Sequence, residues 1–195
     1  MNNNLTEIAC VIDRSGSMES IRDDAIGGFN SFLDTQKKQP GDARLTLVLF
    51  DNEYLVPENG TPLARVKPLD ATTYVPRGST ALYDAIGRTI NEVGARLAST
   101  PEPDRPGKVI VAILTDGQEN ASTEFSRETI ATMISHQQKA YAWEFVFLAA
   151  NQDAVTAAEA IAIKKADAFQ FTSDKPGMAN AMFLMASEVS RRRSR

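Results

Sequence analysis

The chain has 195 residues, of which 43% are hydrophobic and 24% are charged, and its formal net charge is −4. This length and composition predict a single domain over residues 1–195 with a sizeable core. Four of the positive charges are arginines among the last five residues, so the rest of the chain is more acidic still. Because general nucleic-acid binding requires a basic surface, this charge argues against that function.

The sequence predicts a cytoplasmic protein with no membrane contact. Its one cysteine, Cys10, can form no disulfide within the chain, which suits a reducing compartment. We expect Cys10 to be a small buried side chain rather than a reactive thiol, because free cysteine is among the most buried residue types. The first residues have neither the basic nor the apolar region of a signal peptide, and no apolar run approaches the ~20 residues that cross a bilayer.

Apolar runs that are typical of strands alternate along the chain with segments of helical spacing. The predicted strands cover residues 8–12, 45–50, 109–114, 144–149 and 168–171, with short edge strands at 54–56 and 64–66 around Asn59 and Gly60. The predicted helices cover residues 18–38, 81–97, 127–140 with Ser126 as N-cap, 154–163 and 176–190. Residues 191–195 are interpreted as a flexible basic tail that frays from the last helix.

This alternation predicts the α/β class. The expected architecture is a doubly wound, Rossmann-like and mostly parallel sheet, flanked by helices on both faces and carrying one short antiparallel edge strand.

Oxygen-bearing side chains follow or precede these elements at three separated places. Asp13, Ser15 and Ser17 come directly after the first strand, Thr80 precedes a helix, and Asp116 follows the strand at 109–114. Ligands bind at the carboxyl ends of the strands in an open α/β sheet. If the strands at 8–12 and 109–114 are neighbours, all three groups meet over one crevice. Small oxygen ligands on tight loops suit a hard divalent cation, Mg²⁺ above all.

The sequence Asp13-Arg14-Ser15-Gly16-Ser17, a distant Thr80, and Thr115-Asp116-Gly117 together resemble von Willebrand factor A (VWA) domains. In that family this set forms the metal-ion-dependent adhesion site. The resemblance covers essentially the whole chain and implies that Ser15, Ser17 and Thr80 coordinate a cation directly. Asp13 and Asp116 would bind it directly or through water. The implied ion is Mg²⁺, with Mn²⁺ or Ca²⁺ as alternatives.

Each part of this set also has a simpler explanation by itself. Ser17 and Thr80 could be helix N-caps, and Asp116 with Gly117 could form a turn after a strand. Their joint occurrence at three equivalent places favours the metal site.

Other polar residues are candidates for its surroundings. Asp84 could support the ligands from behind or stabilise the amino end of its helix. Asp51 could order the rim of the site, although a role in a turn is simpler. Asn151, Gln152 and Asp153 follow a strand on the same edge and could contact a partner, although a loop that starts a helix is the simpler explanation.

The resemblance implies a cation-dependent protein-binding module. A partner protein would supply an Asp or Glu carboxylate to an open coordination position on the ion. The chain looks like the intracellular, stand-alone bacterial or phage members of the family, which serve assembly or regulation of a complex. The alternatives are a metal-dependent hydrolase of the phosphoesterase kind, or a structural subunit with a vestigial site. The sequence contains no phosphate-binding Gly-Lys loop and no nucleophile elbow, so we expect no enzyme. It assigns no oligomeric state.

Overall fold

Six strands form one sheet at the centre of the computed structural model, which describes residues 1–150 and 153–195. The strands are β1 (Asn2–Asp13), β2 (Asp42–Phe50), β3 (Tyr54–Pro62), β4 (Pro106–Thr115), β5 (Glu144–Ala150) and β6 (Ala168–Phe171). Their order is β3-β2-β1-β4-β5-β6, and all neighbours are parallel except β2 and β3. The predicted fold class is confirmed, including the antiparallel edge strand.

The order of the strands places the ends of β1 and β4 side by side. Ile12 pairs with Leu114, so Asp13 and Asp116 both follow at the carboxyl edge of the sheet. On the other side of β1, Asp13 pairs with Phe50, and Asp51 therefore lies at the same edge. The chain reverses its winding direction between β1 and β4, which is where open α/β sheets bind ligands.

In the described part of the chain, five α-helices cover the two faces of the sheet. They are α1 (Arg22–Lys37), α2 (Leu82–Ser99), α3 (Arg127–Tyr141), α4 (Ala154–Glu159) and α5 (Lys175–Arg193). Alternate residues of β1 face opposite layers: Ile8, Cys10 and Ile12 pack with α1 and α5, whereas Ala9 and Val11 pack with α2 and α3. A sheet that is buried on both faces explains why its central strands appear as continuous apolar runs in the sequence.

The first strand is longer than predicted. It begins at Asn2 because Leu5, Thr6 and Glu7 are also buried. Glu7 accepts hydrogen bonds from Thr46 (2.8 Å) and from Arg96 (2.8 Å), so a charged residue occupies a fully buried strand position. A buried charge with a hydrogen-bonded partner is tolerated in a protein interior, but in the sequence it looks like a loop residue.

The two short edge strands predicted around Asn59 and Gly60 are wrong. One strand, Tyr54–Pro62, runs through both residues, and residues 64–66 lie outside it, in and just after a short 3-10 helix. Gly60 has a φ of 63° and donates a hydrogen bond to Thr46, and its irregular pairing with β2 is a bulge rather than a turn.

Two helices also differ from their predicted bounds. A 3-10 helix, Gly16–Ile21, precedes α1, which begins only at Arg22. The helix predicted at 154–163 ends at Glu159 because Ala162 adopts a left-handed conformation, with a φ of 63°. That reversal buries Ile161 and Ile163 against the sheet.

The prediction of a flexible tail at residues 191–195 is also wrong for most of its length. Helix α5 continues to Arg193, and Arg192 is only 1% exposed. Its guanidinium forms ion pairs with Glu144 (3.2 Å), Asp167 and Glu188. Long-range contacts therefore fix a segment that local composition describes as a solvated charge run.

Within the described residues, none of the helices combines the length and the apolar character that a membrane span requires.

Candidate metal centre

Asp13 is the most buried carboxylate of the oxygen cluster. It ends β1, and its side chain accepts hydrogen bonds from the Ser15 backbone N–H (2.6 Å) and the Thr115 hydroxyl (2.6 Å). Burial, with a smaller contribution from the charge of Asp116, raises its pKa to about 6, although the hydrogen bonds from Thr115 and Ser15 act in the opposite direction. A cation beside this carboxylate would favour its ionised form.

Ser17 contacts both Asp116 and Ser15. The Ser17 hydroxyl donates to one Asp116 carboxylate oxygen at 2.6 Å, and the Ser15 and Ser17 hydroxyls are 3.1 Å apart. Asp116 is 2% exposed and Ser15 is 2% exposed, whereas Ser17 is exposed at the surface. The cluster is therefore buried on the side of the sheet and accessible from the side of Ser17.

Thr80 faces the same group across Gly117. A Cβ atom on Gly117 would lie 3.0 Å from the Thr80 hydroxyl oxygen and 3.8 Å from that of Ser17. A side chain at position 117 would thus occupy the space between these two hydroxyls. The backbone of Thr80 is fixed by Asn120, whose side chain accepts from the Thr80 N–H (2.9 Å) and whose N–H donates to the Thr80 carbonyl (3.0 Å).

The structure therefore brings together all five residues that the sequence proposes as metal ligands. They contribute three hydroxyls and two carboxylates, which are the oxygen ligands that hard divalent cations prefer. The described residues contain no group of three or more His, Cys, Asp or Glu side chains that could hold a metal. Three of the five donor groups are hydroxyls and two are carboxylates, and the residues present fit a hard cation.

Asp51 connects the loops that carry these donors. Its carboxylate, which is fully buried, forms ion pairs with Arg14 (3.1 Å) and Arg77 (3.0 Å) and accepts from the Glu53 N–H (2.5 Å). Its carbonyl accepts from the Ala81 N–H at 3.0 Å, next to Thr80. Asp51 is therefore both a turn residue and a brace for the rim, so the two interpretations from sequence are compatible.

Gly78 allows two of these loops to approach each other. Its carbonyl accepts from the Gly16 N–H at 3.1 Å, and its φ of 66° favours glycine. A Cβ atom there would lie 2.0 Å from the Asn52 side-chain oxygen, so any other residue would have to displace the Asn52 side chain as well.

Asp84 contacts none of the five donors through its carboxylate. Instead it accepts from three successive backbone N–H groups, those of Thr123 (2.8 Å), Glu124 (2.9 Å) and Phe125 (2.9 Å). It therefore orders the segment after Asp116 rather than the ligands themselves, and its backbone N–H donates to Ser122 in return.

The segment after β5 that could contact a partner protein is described only in part. Asn151 and Gln152 lie outside the described residues. Asp153 is the N-cap of α4 and accepts from the N–H groups of Val155 (3.1 Å) and Thr156 (3.1 Å). Asp153 thus acts as the start of a helix.

The contacts that Tyr74, Ser173 and Arg14 make at this edge were not predicted from the sequence. The Tyr74 hydroxyl, which is fully buried, donates to the Asp13 carbonyl at 2.6 Å. Ser173 donates to the second Asp116 oxygen at 3.1 Å, and Arg14 pairs with Asp51. Ser173 follows β6 as Ser15 follows β1, so the rule that located the other hydroxyls applies to it too. Local sequence carries no signal for Tyr74.

Comparisons with known proteins agree with this architecture. No family model matches the chain, and no curated protein sequence matches it significantly. Solved structures do match. The von Willebrand factor domain of the type V pilus tip protein Mfa5 from Porphyromonas gingivalis has a TM-score of 0.71 at 11% identity, with 95% of each chain covered. A von Willebrand factor type A structure from Catenulispora acidiphila has a TM-score of 0.59 at 16% identity, covering 95% of this chain and 42% of that one.

A third match bears on the metal. Proximal thread matrix protein 1 from the mussel byssus, solved with a zinc-occupied MIDAS motif, has a TM-score of 0.65 at 18% identity. The alignment covers 97% of this chain and 47% of that protein, so the chain spans about half of its length. At these identities the likeness shows the fold alone, and the chain has the fold of VWA domains.

Proposed function

We propose that the chain is a divalent-cation-dependent protein-binding module. Asp13, Ser15, Ser17, Thr80 and Asp116 would hold the cation, and Mg²⁺ suits them best, with Mn²⁺ and Ca²⁺ as alternatives. One observation carries the proposal: the Ser17 hydroxyl lies 2.6 Å from an Asp116 carboxylate oxygen, and the hydroxyl of Thr80, from a third segment, faces them across Gly117. A zinc-occupied MIDAS motif in a mussel protein of the same fold supports it.

The arrangement of the residues indicates how such a site would be used. When bound, the cation supplies a coordination position for a carboxylate oxygen of an Asp or Glu side chain from a partner protein. Asp13 and Asp116 are buried, so they hold charge beneath the surface, while the exposed Ser17 marks the accessible side. The arginines at the rim, Arg14 and Arg77, are paired with Asp51 and hold the loops in place.

The proposal assigns no catalytic step to the chain. The Ser17 hydroxyl is hydrogen-bonded to a carboxylate, and the single histidine, His136, lies in a groove at the opposite edge of the sheet. Serine nucleophiles are commonly activated by a neighbouring histidine, which this edge does not supply, and the carboxylate beside Ser17 is one of the groups assigned to the cation. We infer that the module serves assembly or regulation of a complex. We place it in the cytoplasm, since its only cysteine is a free and buried thiol.

Thermal melting tests cation binding directly. An ion that binds only the folded chain raises the melting temperature, and the rise grows with ion concentration. We expect millimolar Mg²⁺ to raise the midpoint of the wild-type chain relative to EDTA, and Asp116→Ala to abolish the rise. Asp153→Ala is the matched control, because it removes an N-cap carboxylate at the same edge and should keep the rise. An identical midpoint in Mg²⁺ and EDTA would refute a working site.

Partner binding needs a second experiment. The tagged chain is used to capture proteins from native extract in Mg²⁺ and in EDTA, beside the Asp116→Ala variant. We expect a partner that is retained only by the wild-type chain in Mg²⁺. A protein retained equally in all three samples would contradict cation-dependent binding.

A further inference from the structure

A groove lies at the edge of the sheet opposite the oxygen cluster, between the carboxyl-terminal ends of α2 and α3. Its volume is about 700 Å³, and typical small-molecule sites occupy roughly 300–1,000 Å³. Pro106 and Val109 of β4 line it, as does Trp143, which directly precedes β5. The groove is therefore separated from the candidate metal centre by the full length of β4.

The apolar residues of the lining lie at the bottom and on one side of the groove. Val109 and Trp143 are buried and reach the groove only at their edges, whereas Leu97 is half-buried, and Gly94 lies on α2 beside them. A Cβ atom on Gly94 would meet nothing within 4 Å. The two helices thus leave space that no side chain of the described residues fills at this point.

The charged side chains of the lining all have the same sign. They are Arg105 and Lys139, and the lining contains no Asp or Glu among the described residues, although the chain has a net charge of −4. The Arg105 guanidinium is held at the rim by the carbonyls of Thr100 (2.6 Å) and Ala98 (2.9 Å). Glu102 lies on the adjacent turn, but its carboxylate faces the amino group of Met1 at 3.9 Å.

The turn between α3 and β5 places two aromatic residues, Tyr141 and Trp143, in the lining of the groove. Ala142 adopts a left-handed backbone conformation, with a φ of 55°, at a helix end where glycine is usual. On one side of it Tyr141 is 64% exposed and packs edge-on against His136, with ring centroids 5.7 Å apart. On the other side Trp143 is buried.

We propose that this groove binds a small amphiphilic carboxylate, of the class of medium-chain fatty acids. The apolar chain would lie against Leu97, Val109 and Trp143, and the carboxylate would face Arg105 and Lys139. Two carbonyls already hold the Nε and Nη2 groups of Arg105, so its Nη1 group and the Lys139 ammonium would pair with the carboxylate. This site is independent of the proposed cation-dependent function.

Trp143 makes the proposal measurable, because it is the only tryptophan of the chain and lines the groove. The full chain is titrated in EDTA with decanoate and, in parallel, with decanol, and Trp143 fluorescence and calorimetry are followed. We expect a saturable response to decanoate and at least tenfold weaker binding of decanol. No saturable response to decanoate, or equal binding of the two compounds, would overturn the proposal.

Two variants locate the response. Gly94→Leu fills the groove from α2, and Gly27→Leu is its control, because Gly27 is also helical and a Cβ atom there also meets nothing within 4 Å. We expect Gly94→Leu to weaken decanoate binding at least tenfold and Gly27→Leu to leave it unchanged. Lys139→Gln should weaken decanoate and leave decanol unaffected.

Thermal melts verify that each variant is folded. Unchanged decanoate binding by folded Gly94→Leu would place the ligand elsewhere and overturn the proposal, as would unchanged binding by Lys139→Gln. Asp116→Ala should bind decanoate like the wild-type chain, so failure of the metal site and failure of this groove give different results.

Discussion

The Ser17 hydroxyl donates to an Asp116 carboxylate oxygen at 2.6 Å, although 99 positions separate the two residues in the sequence. This contact joins the loop after β1 to the loop after β4 at the carboxyl edge of the sheet. Because Ser17 is exposed and Asp116 is buried, the pair spans the accessible boundary of the candidate metal centre.

Ser17→Ala removes one hydroxyl from this donor set. We expect a loss of Mg²⁺ affinity of roughly ten- to a hundredfold, in the range seen when groups around a metal are removed. Without metal the variant also loses its hydrogen bond to the buried Asp116 carboxylate, so we expect a loss of about 1–3 kcal/mol in the free energy of unfolding. Calorimetric titration with Mg²⁺ measures the affinity. Ser31→Ala, an exposed serine of α1, is the control, and equal affinities in the two variants would exclude Ser17 as a ligand.

Asp51→Ala tests the brace behind the site. The substitution leaves the buried Arg14 guanidinium with only the more distant and exposed Glu53 carboxylate (3.7 Å), and breaking a buried pair from one side costs about 3–5 kcal/mol. Urea denaturation at neutral pH gives the free energy of unfolding. The matched control is Glu128→Ala, whose exposed partner is Arg127 and whose loss should cost about 1 kcal/mol or less. Similar losses in both variants would show that Asp51 does not stabilise the rim.

Most parts of this site that the sequence predicts follow a strand directly, whereas Thr80 is predicted from its place before a helix. Asp13, Ser15 and Asp116 stand at the ends of apolar runs, so strand position alone places them at one edge. The neighbours that hold them come from distant segments. Tyr74 reaches the Asp13 carbonyl from the loop before α2, and nothing in its local sequence indicates that contact.

The fold was predicted for a similar reason, and its errors have a common cause. Strands buried on both faces are recognisable as apolar runs, such as Val109 to Leu114. The errors fall where tertiary contacts override composition. Glu7 lies inside β1 because Arg96 neutralises it, and Asn59 lies inside β3 because Arg96 also donates to its side chain at 3.1 Å. Neither contact is local.

The hydrogen bonds of Asp70 should make part of the free energy of unfolding depend on acid pH. Its carboxylate accepts from the Thr72 hydroxyl (2.7 Å) and from the N–H groups of Thr72 (2.8 Å) and Thr73 (2.9 Å), and these bonds lower its pKa to about 2. A carboxyl group whose pKa is lower in the folded chain stabilises it above the unfolded pKa of about 3.9. That contribution is lost as the pH falls towards about 2.

Asp70→Ala should therefore lower the melting temperature at pH 5 to 7, and the difference from the wild-type chain should shrink between about pH 4 and pH 2. Melting curves over this pH series measure it. Asp34→Ala, on the exposed side of α1, is the control for removal of a charge. A difference that stays constant or grows on acidification would contradict the role of these hydrogen bonds.

Arg192→Ala tests whether Arg192 stabilises the fold or belongs to a solvated tail. Arg192 is 1% exposed and pairs with Glu144, Asp167 and Glu188, so the substitution leaves these carboxylates without their common partner. We expect a loss of about 3–5 kcal/mol in the free energy of unfolding, measured by urea denaturation. Arg191→Ala is the matched control: its side chain is 44% exposed, and its single pair with Glu188 should contribute about 1 kcal/mol or less. If the two neighbouring variants are equally stable, Arg192 does not fasten α5 to the sheet, and the end of the helix behaves as the flexible tail that its composition predicts.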